Sequence, residues 1–148
     1  MVNEVKKILI VDDEAVLVDL LRNKISRQGF GVIEARDGEE GLQKALAEHP
    51  DLILMDIIMP KMDGITVLKK LRQDHWGKDV PVIILTNLNT AEAVENSIAS
   101  GVYDYLVKID YTLDDLADII KRRLVNKDTG IIVSKAAKPI SDNPDDNI

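Results

Sequence analysis

Asp12 and Asp13 follow directly on the apolar run Ile8-Leu9-Ile10-Val11, and Asp56 follows directly on Leu52-Ile53-Leu54-Met55. Two or three carboxylates brought to one place repel one another, and a hard divalent cation held by oxygen ligands, typically Mg²⁺ with several waters retained, relieves that repulsion. Asp13 and Asp56 are the candidate ligand pair, with Asp12 acting through water. A carboxylate is also a nucleophile when a metal and a cation neutralise the charge on the incoming group. Lys108, after Tyr105-Leu106-Val107, supplies that cation. Thr86 closes a fourth run, Val82-Ile83-Ile84-Leu85, and with Asn87 offers the hydroxyl and backbone N–H that a phosphoryl oxygen requires. Each residue has a plainer reading: an Asp that caps a helix, a lysine that snorkels at a strand end, a Thr and an Asn in a turn. Their joint occurrence at four strand ends favours chemistry.

These residues share a site only if the runs before them are neighbouring strands. Short, continuous apolar runs between helical patterns read as strands buried on both faces of a parallel sheet, and the ligand crevice of such a sheet lies outside the strands' carboxyl ends. Helical spacing fills the intervals. Leu17, Leu20, Leu21 and Ile25 recur between Glu14 and Gln28, with Gly29 as the stop; Leu42, Ala45 and Leu46 follow a capping pair, Asp37 and Glu40; His49-Pro50 closes that helix. Ile65, Leu68 and Leu71 mark a third helix that gives out by Trp76-Gly77. Asn89 with Glu92 is the expected cap of a fourth, running to Gly101, and Thr112 with Asp115 that of a fifth, carrying Leu116, Ile119, Ile120 and Leu124. With Val32-Ile33 as the second strand, the pattern is a doubly wound α/β domain of five strand-helix repeats whose strand order is left open. The run from Met59-Pro60 to Gly64 reads as a shaped loop, with Gly64 suited to an unusual backbone conformation.

A chain of 148 residues with 45% hydrophobic content buries one core, so one domain over 5–125 and a mostly disordered tail over 126–148 are expected. Within the tail, Ile131-Ile132-Val133 reads as a linker remnant or a weak docking segment. A net charge of -7 opposes binding to nucleic acid or anionic membrane through a general basic field, and the absence of Cys excludes disulfides, thiolate metal sites and a Cys nucleophile. No signal-like or membrane-length apolar run is present, so a soluble, cytoplasmic protein is expected. His49 and His75 are isolated.

Taken together, Asp12-Asp13, Asp56 with Met59-Pro60 and Asp63-Gly64, Thr86, and Tyr105-Leu106-Val107-Lys108 resemble the receiver domain of two-component response regulators, from Lys6 to Val125. The resemblance implies a flavodoxin-like, five-stranded sheet of order 2-1-3-4-5 with five helices, and phosphorylation of Asp56 by a sensor histidine kinase or phosphotransfer protein. It implies Mg²⁺ held by Asp13, Asp56 and the backbone carbonyl of Ile58 with support from Asp12, Lys108 on a phosphoryl oxygen, Thr86 as switch hydroxyl, and Tyr105 as the aromatic that turns inward when Thr86 moves. It further implies output through a protein partner or self-association on the face of helix four, strand five and helix five, near Tyr103, Asp104, Tyr105 and Tyr111. No direct nucleic-acid contact and no membrane are expected, and no enzymatic activity beyond the protein's own phosphorylation and dephosphorylation.

Three positions depart from the family pattern. Ile109 replaces the usual Pro after the lysine, and since a cis bond before a non-proline residue costs about 2.5–4 kcal/mol, a trans linkage is expected. The stretch Lys108–Leu116 is one residue longer than usual, and Asn87 stands where a small residue is common. Two other classes compete: a Mg²⁺-dependent phosphatase or phosphotransferase with its Asp nucleophile on the first strand, and a flavin-binding protein, which acidic loops in place of a phosphate cradle disfavour.

Overall fold

The computed structural model describes residues 5–125 and 132–134. In chain order the elements are β1 (Lys7–Val11), α1 (Ala15–Arg27), β2 (Gly31–Ala35), α2 (Gly38–Glu48), β3 (Leu52–Met55), α3 (Gly64–Gln73), β4 (Val82–Thr86), α4 (Ala91–Ala99), β5 (Asp104–Val107), a 3₁₀ turn (Lys108–Asp110), α5 (Leu113–Val125) and β6 (Ile132–Val133). All pairings are parallel and the sheet order is β2-β1-β3-β4-β5-β6. The expected 2-1-3-4-5 order is present, extended by a sixth strand.

Strand side chains alternate between two cores. Leu9, Val11, Ile53, Met55, Ile84, Tyr105 and Val107 pack with Ala45 of α2, Val67, Leu68 and Leu71 of α3, and Ala93 and Val94 of α4. Ile8, Ile10, Leu52, Leu54, Ile83, Leu85 and Leu106 pack with Val18, Leu21 and Ile25 of α1 and Leu116, Ile119 and Ile120 of α5. Both faces of the central strands are thus covered, which is why these runs carry no polar residue until the strand ends.

The side-chain caps begin helices largely where sequence placed them. Asp37 accepts from Glu40 N–H at 2.8 Å. Thr112 and Asp115 form a reciprocal capping box, each side chain accepting from the other's N–H, at 2.9 and 3.1 Å. At α4 the expectation was one residue early: Thr90, not Asn89, accepts from Ala93 N–H. At the amino end of the sheet, Arg72 of α3 donates to the carbonyls of Gly77, Val80, Ser100 and Gly101, tying the loops after α3 and α4 together.

Three residues of the tail are described, and they lie against the sheet. Residues 126–131 and 135–148 lie outside the described residues, but Ile132-Val133 pairs with Asp104-Tyr105, and Ser134 is 1% exposed. Ser134 N–H donates to the Tyr105 carbonyl at 2.9 Å, and Val107 N–H donates to Ser134 Oγ at 2.7 Å. Ile132 N–H donates to the carboxylate of Asp104, which also holds Arg123 of α5 in a buried pair. The segment reads as a linker because two strand residues in a polar tail leave almost no periodic signal. Replacing Ser134 by Ala leaves the buried Val107 N–H without its acceptor, a loss of about 1–3 kcal/mol. Urea titration of Ser134→Ala checks this; a midpoint equal to wild type would mean that β6 adds nothing to stability.

Candidate functional site

Strand register assembles the acidic site. Val11 is paired with both Ala35 and Met55, so the next residues, Asp12 and Asp56, leave the sheet side by side. Each is tied by its backbone to the neighbouring strand, Asp12 N–H to the Ala35 carbonyl and Asp56 N–H to the Val11 carbonyl. Thr86 is paired with Val107, so Lys108 emerges beside Asn87. Carboxylate oxygens of Asp12, Asp13 and Asp56 all lie within 4.8 Å of one another.

Lys108 Nζ sits 2.9 Å from Asp12 Oδ2, 2.9 Å from Glu14 Oε2 and 3.0 Å from Asp56 Oδ2. Burial alone would lower the Lys108 pKa; the hydrogen bonds to Asp12, Glu14 and Asp56 outweigh it and hold the ammonium well above its usual range. Burial pushes the Asp12 carboxyl up, against the opposing pull of Lys108 and the Glu14 N–H. Asp12 and Asp56 are buried whereas Asp13 is exposed.

Asp56 Oδ1 accepts from the N–H groups of Ile57, at 2.7 Å, and Ile58, at 3.3 Å. Oδ2 faces Lys108. Asp13, Glu14, Asp56, Ile58, Thr86, Asn87 and Lys108 line one open cleft. The loop after β3 is shaped by close approach: a Cβ on Gly64 would lie 2.1 Å from the Asp56 carbonyl oxygen. The left-handed residue in this loop is Lys61, at φ 68°, so the unusual conformation expected of Gly64 belongs to a residue three positions earlier. Asp63 caps α3, accepting from Thr66 N–H at 2.9 Å.

Thr86 and Tyr105 are both buried. Thr86 Oγ1 accepts from Leu88 N–H at 3.2 Å, and the Tyr105 hydroxyl donates to the Leu88 carbonyl at 2.5 Å. Burial, with a smaller contribution from Asp56, pushes the Tyr105 phenol up to about 12. The ring therefore lies inward while Thr86 still engages its own loop. Asp104 and Tyr105, expected near a partner-binding face, are fully buried; Tyr103 and Tyr111 are only partly so. No peptide bond among the described residues is cis, and the longer stretch after Lys108 is taken up by the 3₁₀ turn, whose Ile109 is exposed. The receiver resemblance gave Glu14 no part in the cluster, although its position after Asp12-Asp13 was a signal. His49 stacks on Trp76 at 4.3 Å, remote from the cleft in the fold.

A doubly wound sheet with three acids and a lysine at its carboxyl edge defines the receiver class, and the comparisons agree. The family model described as "Response regulator receiver domain" matches residues 8–121, and the chain belongs to this family of two-component signalling domains. Among curated relatives, the Bacillus subtilis alkaline phosphatase synthesis transcriptional regulatory protein PhoP is 45% identical over 103 residues, 70% of this chain and 42% of that protein. The Synechocystis DNA-binding dual master transcriptional regulator RpaA is 39% identical, over 69% of this chain and 42% of its own length. The chain thus spans about two fifths of such relatives. Among solved structures, a CheY-like receiver domain protein from Methanospirillum hungatei is similar at TM-score 0.77 and 30% identity, covering 82% of this chain and 95% of that one.

Loss of the shared cation tests the electrostatics. Lys108→Met leaves Asp12 and Asp56 buried without a counter-charge, and breaking a buried pair in this way costs about 3–5 kcal/mol. The expected result is a large drop in the denaturant midpoint in chelator-containing buffer; a change below about 0.5 kcal/mol, the range of ordinary surface substitutions, would remove Lys108 from its central place.

Proposed function

We propose that this domain is a phosphorylation-controlled switch that accepts a phosphoryl group on Asp56. The observation that carries the reading is the division of labour on one carboxylate: Oδ1 is committed to two backbone donors, while Oδ2 faces Lys108 and the cleft. Oδ2 is the attacking oxygen. It forms a P–O bond as the donor's bond to phosphorus breaks, an N–P bond in a phosphohistidine or an O–P bond in acetyl phosphate, and imidazole or acetate leaves. Lys108 moves to an oxygen of the transferred group, and Thr86 supplies a hydroxyl to another.

The donor set fits Mg²⁺. Only oxygens are offered, two acids are buried, and the exposed Asp13 leaves room for retained waters. Asp13, Asp56 and the Ile58 carbonyl would hold the ion, with Asp12 in support. When bound it neutralises phosphoryl charge and fixes the donor's orientation. Catalysis is otherwise positioning by this chain's own residues, so the domain acts only on its own phosphorylation and dephosphorylation. A phosphatase using Asp12 as nucleophile is poorly supported, because Asp12 is 2% exposed, engaged by Lys108 and Glu14, and absent from the cleft lining.

The phosphodonor is a sensor histidine kinase or phosphotransfer protein, and output passes to a protein partner through the region of α4, β5 and α5 or through self-association. PhoP and RpaA are named as transcriptional regulators, and the acidity that opposes nucleic acid is a property of this stretch of sequence alone. No helix among the described residues is long and apolar enough to cross a membrane, in keeping with a cytoplasmic setting.

Incubation with acetyl phosphate and Mg²⁺ should add one phosphoryl mass, and Asp56→Asn should abolish it; labelling that persists in Asp56→Asn overturns the assignment. The adduct should also be long-lived. Ile58, 61% exposed, lines the cleft; the receiver resemblance puts it and Leu88 beside the approach of an attacking water, and neither side chain orients water by a hydrogen bond. Replacing Ile58 by Asn or Glu should shorten the lifetime, by up to about a hundredfold if the new side chain reaches the lower range for a positioned acid–base group. Decay of the phosphoryl mass after donor removal measures this, and a wild-type lifetime of seconds would count against it.

A further inference from the structure

We infer that β6 is a strand latch whose grip on β5 is coupled to the phosphorylation state of Asp56, an inference that rests on the function proposed above. Beyond the strand pairing itself, the latch includes three hydrogen bonds: Ile132 N–H to Asp104 Oδ1, Ser134 N–H to the Tyr105 carbonyl, and Val107 N–H to Ser134 Oγ. All three end on β5, and two routes lead from them to the cleft. Val107 immediately precedes Lys108, whose ammonium is held by Asp12, Glu14 and Asp56. Tyr105 donates through its hydroxyl to the Leu88 carbonyl, in the loop whose N–H at the same residue bonds Thr86 Oγ1.

The direction of coupling follows from geometry. A phosphoryl group on Asp56 Oδ2 crowds the space now taken by Lys108 Nζ, 3.0 Å away, so the lysine gives up its present contact with Oδ2, and the latch requires that this shift be passed to the backbone at 107–108. The Val107–Ser134 bond is short, at 2.7 Å, and buried; hydrogen bonds of this kind weaken steeply on misalignment. Turning Thr86 toward the phosphoryl group likewise frees Leu88 N–H and disturbs the Tyr105 contact. Both movements loosen Ser134. A two-strand-residue segment with so few contacts is easily released, and the edge of β5 from Asp104 to Val107 is then open to another extended segment.

The experiment is hydrogen–deuterium exchange by mass spectrometry on the full chain, with and without acetyl phosphate and Mg²⁺, alongside intact mass. Phosphorylation should accelerate exchange of peptides covering 104–107 and 132–134 by about fivefold or more, the lower end of ordinary coupling. Asp56→Asn should show no such change. In Ser134→Ala, exchange should be fast beforehand and rise no further on phosphorylation, unlike a purely structural contact, whose loss would leave the response intact. Ile132→Pro, which removes the donor to Asp104, should behave alike and serves if Ser134→Ala folds poorly. A phosphoryl mass on Asp56 with unchanged or slower exchange overturns the latch while leaving the proposed function standing; absence of any adduct overturns both.

Discussion

One ammonium group, Lys108 Nζ, within 3.0 Å of Asp12, Glu14 and Asp56, is the interaction on which the arrangement at the carboxyl edge depends. Carboxylates beside one another in a low-dielectric setting are costly to ionise, and desolvation raises Asp12 accordingly. A lysine surrounded by acids keeps its charge despite burial, and its charge in turn makes the acids tolerable. The cluster is thus balanced without being rigidly filled. Any anionic group that arrives on Asp56 competes for the same cation, which links chemistry at the carboxylate directly to the backbone leaving β5.

The constraint reaches back through the sheet. Parallel register sets Asp12 beside Asp56, and the two-sided burial of β1, β3, β4 and β5 confines polar residues to the strand ends. That is why the site was legible in sequence: an apolar run that stops abruptly at Asp12, Asp56, Thr86 or Lys108 states both the strand and the position of the functional group. Capping residues such as Asp37, Thr112 and Asp115 were readable because their side chains bond to backbone only a few residues away. The start of α4 slipped by one because Asn89 and Thr90 are both able caps and spacing alone does not choose between them.

What sequence left hidden depends on long-range contacts. Arg123 at the end of α5 resembles a surface cation, yet it is 1% exposed and paired with Asp104, nineteen residues away. That pair prepares the place where Ile132 docks, and no local pattern announces it. Gly64 was recognised as special, but its reason is the carbonyl of Asp56 lying where a side chain would be, a fact about packing and not about dihedral angles. The hydrogen bond of the Tyr105 hydroxyl to the Leu88 carbonyl, made with Thr86 engaged by the N–H of the same residue, joins positions seventeen residues apart and left no local sign.

Arg72 gives the molecule a mechanical polarity. By gripping four carbonyls from the loops after α3 and α4, it clamps the end of the domain farthest from the acidic cleft. One guanidinium thus satisfies four carbonyls that would otherwise need separate donors, and it fastens the lower ends of those two helices to each other. Loss of that side chain would leave four carbonyls without their donor at once, so the seam between α3 and α4 rests on a single residue at the end of the sheet opposite Asp56.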